Sequence, residues 1–389
     1  MNNLTKRFFL MVLSVSFLGL SAEAWAQSIL LRRYRGDVEI TNSQGRNLTL
    51  SKDLFVPPGS TIVTKASGRC ILAGSDGSVF KISPESRVEV SSLMGGKNEE
   101  ASTTSLLLAM GHLNAEVQKA LGADETVRVV TMAAVAGVRG TAFDVVVGAD
   151  GQTVVQVSEG LVAVDSDQSG AVEVAPGRQV RADQRRVGAV RAAETREDWR
   201  EVTTREGNRR LVKEAKRSFD GAREGVKRRE LKLQRVRMDL RRAVKTLKAA
   251  RASGSDAATI KRHRREVRRL RAKLNRLIEQ SMVTVGWSEA VASLLDDPRF
   301  DQLPAKYIRR ELASLQAVRK SLDALVKEGR DLSEGAMDSM LKDGREGKRD
   351  TLRDRDGSAA DELFRGGKPD TKTKEKKKKK SGSSIFDEL

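Results

Sequence analysis

The stretch that decides the fold covers residues 131–145 and reads Thr-Met-Ala-Ala-Val-Ala-Gly-Val-Arg-Gly-Thr-Ala-Phe-Asp-Val. It continues through Val146 and Val147 to Asp150-Gly151, a dipeptide that favours tight turns between strands. Valine and phenylalanine are enriched in β-strands, and strands bounded by such turns are typical of hairpins. The stretch therefore predicts a strand over 142–147, with Val138 and Phe143 as candidate core residues.

Short valine-rich segments of the same kind flank this stretch on both sides. Turn-forming pairs separate them, among them Pro58-Gly59, Asp76-Gly77 and Pro176-Gly177. Residues 28–185 are therefore predicted to form an all-β sandwich or roll of short strands. The predicted strands are 36–40, 60–64, 78–82, 87–90, 142–147, 153–157 and 160–164.

A short core within the central stretch resembles the most characteristic motif of a known family. The core residues are Val138, Arg139, Gly140, Thr141 and Phe143. In the FecR domain family an extended segment leads into the pattern Val-Arg-Gly-Thr-x-Phe, and this chain is identified by resemblance as a member over about residues 30–185. The flanking segments that also resemble the family's strands are 59–64, 76–82, 153–164 and 175–179.

The resemblance implies a β fold with a role in periplasmic interactions. The family's best-known members regulate iron-siderophore uptake, and they carry a cytoplasmic anti-sigma segment and a membrane span before the periplasmic domain. This chain has a signal-like segment where those members have the two preceding parts. The expectation is therefore a stand-alone exported member without direct control of a sigma factor.

The motif itself is interpreted as structural. Gly137 and Gly140 permit close backbone approach or a positive φ. Arg139 is expected to pair with a carboxylate or to cap backbone carbonyls rather than to bind a ligand, because arginine is well suited to ion pairs within proteins.

The first 26 residues have the layout of a secretory signal peptide. Lys6 and Arg7 precede a mostly apolar run over 8–20, and Ala24-Trp25-Ala26 provides a cleavage site of small residues. Cleavage is expected between Ala26 and Gln27, which would make the mature protein periplasmic or secreted. No later segment approaches 18 apolar residues, so an integral membrane protein is not expected.

From about residue 195 a helical pattern replaces the strand pattern. Apolar or small residues recur at heptad spacing from 212 to 250, with Arg229 as an exception, and the spacing resumes at 260. The break between them offers Ser255 or Asp256 as an N-cap. The predicted seam residues are Val212, Ala215, Phe219, Ala222, Val226, Leu233, Val236, Leu240, Ala243, Leu247, Ala250, Ile260, His263, Val267, Leu270, Leu274 and Leu277.

Two apolar seams joined by a short break predict an antiparallel, coiled-coil-like helical hairpin. A further helix is predicted over 304–328, so the α-helical region is bounded at 195–330. Residues 331–389 lack a periodic apolar pattern and include five consecutive lysines at 376–380. They are predicted to be a disordered basic tail.

The positive charge lies in the C-terminal half. Residues 27–190 hold 17 Lys and Arg and 18 Asp and Glu, whereas residues 191–389 hold 53 and 34 and so carry the whole net charge of +19. The helical segments 212–250 and 260–278 contribute +9 and +8. Like-charged helices repel each other unless an anion neutralises them, although a charged surface also serves solubility. A polyanion contact is predicted at Arg264, Arg265, Arg268 and Arg269.

No residue pattern points to catalysis, a cofactor or a metal site. The chain lacks a Gly-x-Ser-x-Gly elbow, a phosphate loop and a dinucleotide fingerprint. His112 and His263 do not have metal-ligand spacing, and His263 is expected to pack in the helical seam. The single cysteine, Cys70, is expected to be a buried, inert thiol rather than half of an intermolecular disulfide. We therefore expect no enzyme activity and no cofactor.

The expected function is that of a non-enzymatic periplasmic or envelope scaffold. Its β domain would contact protein or glycan, and its basic hairpin an envelope protein or an anionic envelope polymer; a coiled-coil partner or self-association is also open. An accessory signal-sensing component of a cell-surface regulatory system and an exported nucleic-acid-binding protein are the alternatives. Nucleic acid is disfavoured because export removes the chain from the chromosome, and because the basic half has few aromatic side chains for base stacking.

Overall fold

The structure is a computed structural model, and it describes residues 29–91, 104–119, 127–166 and 168–326. The predicted signal peptide and the predicted tail over 331–389 lie outside the described residues. The strands are β1 (Ile29–Arg35), β2 (Val38–Thr41), β3 (Leu54–Val56), β4 (Thr61–Thr64), β5 (Arg69–Gly74), β6 (Val79–Ile82), β7 (Ser86–Val90), β8 (Thr104–Glu116), β9 (Val127–Val130), β10 (Val135–Val138), β11 (Ala142–Val147), β12 (Thr153–Glu159), β13 (Val162–Asp165), β14 (Val172–Val174), β15 (Arg178–Ala182) and β16 (Arg191–Ala192).

The strands form two sheet sections that share the long strand β8. The first section has the order β3-β1-β5-β6-β8-β11-β12-β15-β16, and the second has the order β2-β4-β7-β8-β9-β10-β13-β14. Paired strands are antiparallel, whereas β8 and β9 are parallel. β8 passes from one section to the other at Gly111, where φ is +102° and a Cβ atom would lie 2.2 Å from Ser86 Oγ. Only glycine fits this position, so it determines where the shared strand bends.

The inner faces of both sections pack around one hydrophobic core. Phe80 and Phe143 of the first section and Leu106 and Val162 of the second are fully buried in it. Burying one such side chain contributes about 1.5–3 kcal/mol. The predicted all-β sandwich of short strands is therefore confirmed.

Two hairpins of the first section have the same turn sequence, Gly-x-Asp-Gly. One turn, 74–77, joins β5 to β6, and the other, 148–151, joins β11 to β12. In both, the second glycine N–H donates to the carbonyl of the first, and the Asp Oδ1 accepts the N–H two residues later. Residues 75–77 are exposed, whereas 148–151 are buried because the helices cover them.

Three helices follow the strands: α1 (Trp199–Ala252), α2 (Ala257–Ser293) and α3, described over 305–326. The four-residue connection between α1 and α2 makes them the predicted helical hairpin. Asp256 Oδ1 accepts the N–H of Thr259 at 2.7 Å, which confirms Asp256 as the N-cap of α2. α1 contains a non-helical residue, Glu214, with φ of −132°, so the long helix is kinked near the start of its second quarter.

Most of the predicted seam along α1 is buried, with a shift near its end. Val244 is buried where the heptad pattern expected Ala243, which is half-buried, as are Val212 and Ala250. An α-helix has 3.6 residues per turn and drifts against a strict seven-residue repeat, which explains the shift. On α2, the predicted seam residues before Leu274 are half-buried.

Arg229, the one charged residue at a predicted seam position, is buried like the apolar seam residues around it. It donates to Ser281 Oγ at 3.2 Å and to Thr284 Oγ1 at 2.7 Å, both on α2. A buried arginine requires such partners because an isolated buried charge is costly. The exception in the pattern is therefore a polar link between the two helices.

The second half of α2 departs from the two-helix hairpin expected from the seams. Nearly every side chain from 277 to 291 is buried, including polar ones such as Glu279 and Gln280. This segment lies in a second hydrophobic core that also includes Leu107 and Met132 from the outer face of the sheet. The described residues consequently belong to one compact unit. Separate domains over 28–185 and 195–330 remain a prediction.

Candidate functional site

Buried ion pairs join the sheet to α1 and α2. Asp150, in the turn between β11 and β12, pairs with Arg210 Nε of α1 at 2.6 Å. Arg128 of β9 pairs with the fully buried Glu279 of α2 at 3.2 Å, and Ser91 Oγ donates to Glu279 at 2.7 Å. Buried pairs of this kind contribute little net stability, because desolvation offsets the attraction. We interpret them as fixing how the helices lie on the sheet.

A third ion pair joins α3 to the sheet. Arg319 of α3 lies 3.0 Å from the carboxylate of Glu89 on β7. Burial raises the pKa of the Glu89 carboxyl, and the lowering effect of Arg319 does not overcome it. This pair therefore orients α3 on the sheet more than it stabilises the fold.

The turn over 148–151 is held from two sides. Gly207 of α1 lies against Gly148, so that a Cβ atom on Gly207 would be 2.8 Å from the Gly148 Cα. Trp287 of α2 is fully buried, donates Nε1–H to the Ala149 carbonyl at 2.9 Å and packs on Phe219 with ring centroids 4.8 Å apart. Both long helices therefore contact the sheet at this turn.

A chain of hydrogen bonds lies between the sheet and the start of α1. His112 Nδ1 is 2.6 Å from Ser83 Oγ, and His112 Nε2 is 2.7 Å from Asp144 Oδ1. Arg200 of α1 donates to both carboxylate oxygens of Asp144, at 3.1 and 3.0 Å. Burial alone would raise the pKa of Asp144, but the hydrogen bonds from His112 and Arg200 hold it below its ordinary value. Asp144 is therefore a carboxylate that joins β11 to β8 and α1.

The order Ser83, His112, Asp144 resembles the nucleophile, base and orienting acid of a hydrolase. Acyl transfer also requires backbone donors for the developing oxyanion. The Ser83 N–H donates to the His112 carbonyl at 3.1 Å, the Glu85 N–H donates to the Lys65 carbonyl at 3.3 Å, and a proline stands between them. The donors beside Ser83 are thus occupied or absent, so we interpret the chain as structural.

A cleft of about 990 Å³ opens beside this chain of hydrogen bonds. Glu197, just before α1, and Glu201 of α1 contribute two acids to one wall, and three bases of α1 follow them, Arg205, Arg209 and Lys213. The other walls contribute Ser83, His112, Arg299, Phe300 and Gln302. Both signs of charge and several hydrogen-bonding groups therefore line a space large enough for a small molecule or a short peptide.

The family-motif residues lie within the β fold and its turns. Val138 and Phe143 are buried in the sandwich core, and Thr141 is also buried. Gly140 has φ of +62° in the turn between β10 and β11, whereas Gly137 lies in β10 without a positive φ. Arg139 is half-buried beside Gly140, and its role remains a prediction.

The distal hairpin, which we define as residues 227–273, carries most of the positive charge. It holds 19 Lys and Arg against four Asp and Glu, and thirteen of those basic residues are exposed. The exposed group includes the four residues predicted to contact a polyanion, namely Arg264, Arg265, Arg268 and Arg269.

The remaining predicted features have clear places in the structure. Cys70 is buried in β5, and burial raises the pKa of its thiol to about 12, which favours the inert form. His263 is half-buried on α2. Among the described residues there is no cluster of three potential metal ligands, and no helix long and apolar enough to cross a bilayer.

Sequence reasoning did not find the cleft or the contacts of Asp144. These groups come from the turn between β6 and β7, from β8 and β11, and from α1, which are far apart along the chain. One local signal was present, since Arg205, Arg209 and Lys213 recur at every fourth residue and must share one face of a helix.

Comparison with known proteins identifies the β fold. Residues 60–163 match the family described as FecR protein, and this match runs from β4 into β13. Curated proteins give no match. Two crystal structures of a protein from Parabacteroides distasonis ATCC 8503 that has been assigned as an anti-sigma factor, at 1.65 and 2.50 Å resolution, share 18% identity with a TM-score of 0.29. The alignment covers 34% of this chain and 60% of those chains, so this chain spans less than two thirds of their length. Residues 60–163 of this chain are a FecR domain.

Proposed function

We propose that the protein is a non-enzymatic component of the bacterial envelope in which the FecR fold positions a basic helical hairpin on an anionic envelope polymer. The observation that carries the proposal is the charge of the distal hairpin, a net +15 from 19 basic and four acidic residues. Most of these side chains are exposed, so they are available to a ligand. A long, uniformly positive surface favours a linear or planar polyanion over a small molecule.

The four acidic residues of the distal hairpin can neutralise only a small part of this charge. Arg242 lies 3.8 Å from Asp239, and Arg269 lies 3.9 Å from Glu266, each pair on one helix. Exposed pairs at such distances contribute at most about 1 kcal/mol. The repulsion that remains between α1 and α2 would be relieved by an external anion.

The base of the hairpin supports a positioning role for the β fold. Arg210, Glu279 and Trp287 tie both helices to the sheet through buried contacts. A rigid attachment lets the basic surface bind without the entropy loss of ordering a flexible arm.

Binding to lipopolysaccharide in co-sedimentation tests this proposal. Arg268→Glu together with Arg269→Glu should weaken binding, and added salt should weaken it further because the contacts are ionic. Arg185→Glu with Arg186→Glu is the matched control, since it reverses two exposed adjacent arginines outside the hairpin. Binding that ignores salt, or equal losses in both double variants, would contradict the proposal.

The proposal includes export. The signal-like segment predicts cleavage between Ala26 and Gln27 and a periplasmic or secreted location. N-terminal sequencing of the protein from an envelope fraction should give Gln27 as the first residue. An intact Met1 on cytoplasmic protein would contradict it.

The FecR match supports a second candidate, an accessory signal-sensing component of a cell-surface regulatory system. Deleting the gene should then change transcription of a small set of envelope genes. Restoring the chain with Arg268→Glu and Arg269→Glu separates the two candidates, because only the polymer-binding function depends on the distal hairpin.

A further inference from the structure

We propose that the cleft between α1 and the β6–β7 turn binds an extended acidic peptide segment of a partner protein. This site is distinct from the distal hairpin, and the proposal does not depend on polymer binding. It rests on the order of charges along α1, on their spacing and on the hydrogen-bonding groups between them.

Three basic residues line one wall without a hydrogen bond or a close ion pair of their own. Arg205, Arg209 and Lys213 are exposed, and within the described part of the chain none of them makes a hydrogen bond or close ion pair. The other two arginines of the cleft are already engaged, since Arg200 binds Asp144 and Arg299 binds Glu85 and Asp297. The three bases are therefore the cations that remain for a ligand.

The spacing of these bases matches an extended chain. Residues four apart on an α-helix rise by about 6 Å. Side chains on one face of a β-strand recur every second residue, at about 6.6–6.8 Å. An extended peptide with acidic residues at alternate positions can therefore place one carboxylate near each of Arg205, Arg209 and Lys213.

The opposite charge at the other end of the cleft favours a peptide over an anionic polymer. Glu197 and Glu201 are exposed, line the cleft and make no hydrogen bond or close ion pair with other described residues. They would repel the phosphates of a nucleic acid or teichoic-type polymer. A peptide with an amino group at one end and carboxylates further along can pair with the acids at one end of the cleft and with the bases at the other.

Polar side chains lie where a peptide backbone would need partners. Thr204 and Asn208 line the same wall as the three bases, and Gln302 is exposed on another wall of the cleft. Hydroxyl and amide groups both donate and accept, which suits the N–H and C=O groups of an extended backbone. Ser83 and His112, on another wall, are already hydrogen-bonded to each other.

Isothermal titration of the purified full chain with two synthetic peptides tests the proposal. The first peptide, Lys-Gly-Asp-Val-Asp-Val-Asp-Gly, has alternate acids, and the second, Lys-Gly-Val-Val-Asp-Asp-Asp-Gly, has the same composition with the acids adjacent. We expect the first to bind on the order of tenfold more tightly, a difference of about 1.4 kcal/mol. Equal affinity would show that net charge alone drives binding and would overturn the spacing argument.

Charge reversal in the protein locates the site. Arg205→Glu with Arg209→Glu should lower the affinity for the first peptide by about tenfold or more. Both residues are exposed, so the fold should be retained. Arg268→Glu with Arg269→Glu is the control, since it makes the same change in charge on the distal hairpin and should leave peptide affinity unchanged. Lipopolysaccharide binding should show the opposite pattern: it should weaken in the Arg268 and Arg269 double variant and stay unchanged in the Arg205 and Arg209 double variant. Failure of one proposal therefore does not imply failure of the other.

Two further outcomes would overturn the proposal. One is equal loss of peptide binding in both double variants. The other is tighter binding of a short single-stranded oligonucleotide than of the first peptide, lost on Arg205→Glu with Arg209→Glu, which would assign the cleft to a phosphate polymer. If circular dichroism shows that the Arg205 and Arg209 double variant is less folded, Lys213→Glu alone should still lower the affinity for the first peptide more than the affinity for the second.

Discussion

Phe80 and Phe143 lie on opposite sides of the same residue, Ala115, in neighbouring strands of one sheet. Phe80 of β6 and Phe143 of β11 are each in register with Ala115 of the shared strand β8, and all three are fully buried. The small residue leaves room for the two rings on either side of it. The family motif thus contributes its phenylalanine to the centre of the sandwich, beside the strand that both sheet sections share.

The first prediction concerns this phenylalanine. Phe143→Ala should lower the free energy of unfolding by about 3–5 kcal/mol, because a fully buried ring leaves a cavity. Phe55→Ala is the matched control: Phe55 is 45% exposed, and its loss should cost about 0.5 kcal/mol or less. Chemical denaturation of the two variants measures both values, and similar costs would contradict a core role for Phe143.

The second prediction concerns the buried acid at the start of α1. Arg200→Met should lower the free energy of unfolding by about 1–3 kcal/mol, because it removes the donor to Oδ2 of the buried Asp144, whereas Oδ1 keeps His112 as a partner. Arg196 binds Asp198 with nearly the same bidentate geometry on the surface. Arg196→Met should therefore change stability by at most about 0.5 kcal/mol. Equal effects would show that burial of Asp144 does not matter.

The third prediction concerns the pH dependence of the same group. The pKa of Asp144 is lowered in the folded protein, so the unfolded chain binds more protons between the two pKa values. Its contribution is therefore present above the ordinary pKa of an aspartate and is lost as the pH falls through the lower, folded value. Stability measured from neutral pH down to about pH 3 should fall less steeply in Asp144→Asn than in the unaltered protein. Parallel curves would contradict the assignment.

The fourth prediction concerns the contact between α1 and the sheet. Gly207→Ala should destabilise the protein by about 1–3 kcal/mol, because the new methyl group would meet the Gly148 backbone at 2.8 Å. Gly225→Ala, also within α1, meets only the side chain of Arg229 at 3.4 Å. It should be neutral or stabilise by up to about 1 kcal/mol, since alanine favours the helix. Thermal unfolding distinguishes the two, and a stabilising Gly207→Ala would show that α1 does not lie against this turn.

The fifth prediction concerns the independence of the β fold. Residues 28–185, expressed alone, should give a β-type circular dichroism spectrum and one cooperative unfolding transition, because the sandwich has its own core. The fragment should also bind a hydrophobic dye that the full chain does not bind. Leu107, Val130 and Met132 would lose the helices that cover them. A fragment that unfolds without cooperativity would mean that the helices are part of the folding unit.

Local sequence patterns determined the sandwich, its turns and the helical hairpin. Valine alternation and the Gly-x-Asp-Gly turns specify strands and hairpins through interactions between near neighbours, and heptad spacing specifies helix faces in the same way. Asp256 could be named as one of two N-cap candidates because its partner, Thr259, is three residues away, and the structure selects it over Ser255. The family motif could be identified from its residues alone, since the match over 60–163 depends on sequence.

Only the tertiary structure decided how the helices meet the sheet and what lies between them. Glu279 is fully buried beside Arg128, which is 151 residues away, and no local pattern in the sequence indicates this contact. Arg229 was an exception to the apolar heptad pattern, and in the structure it is buried and donates hydrogen bonds to Ser281 and Thr284. The cleft likewise joins residues from the turn between β6 and β7, from β8 and from α1. Burial and partnership depend on which distant surfaces pack together, and periodicity along one segment carries no information about its partner's surface.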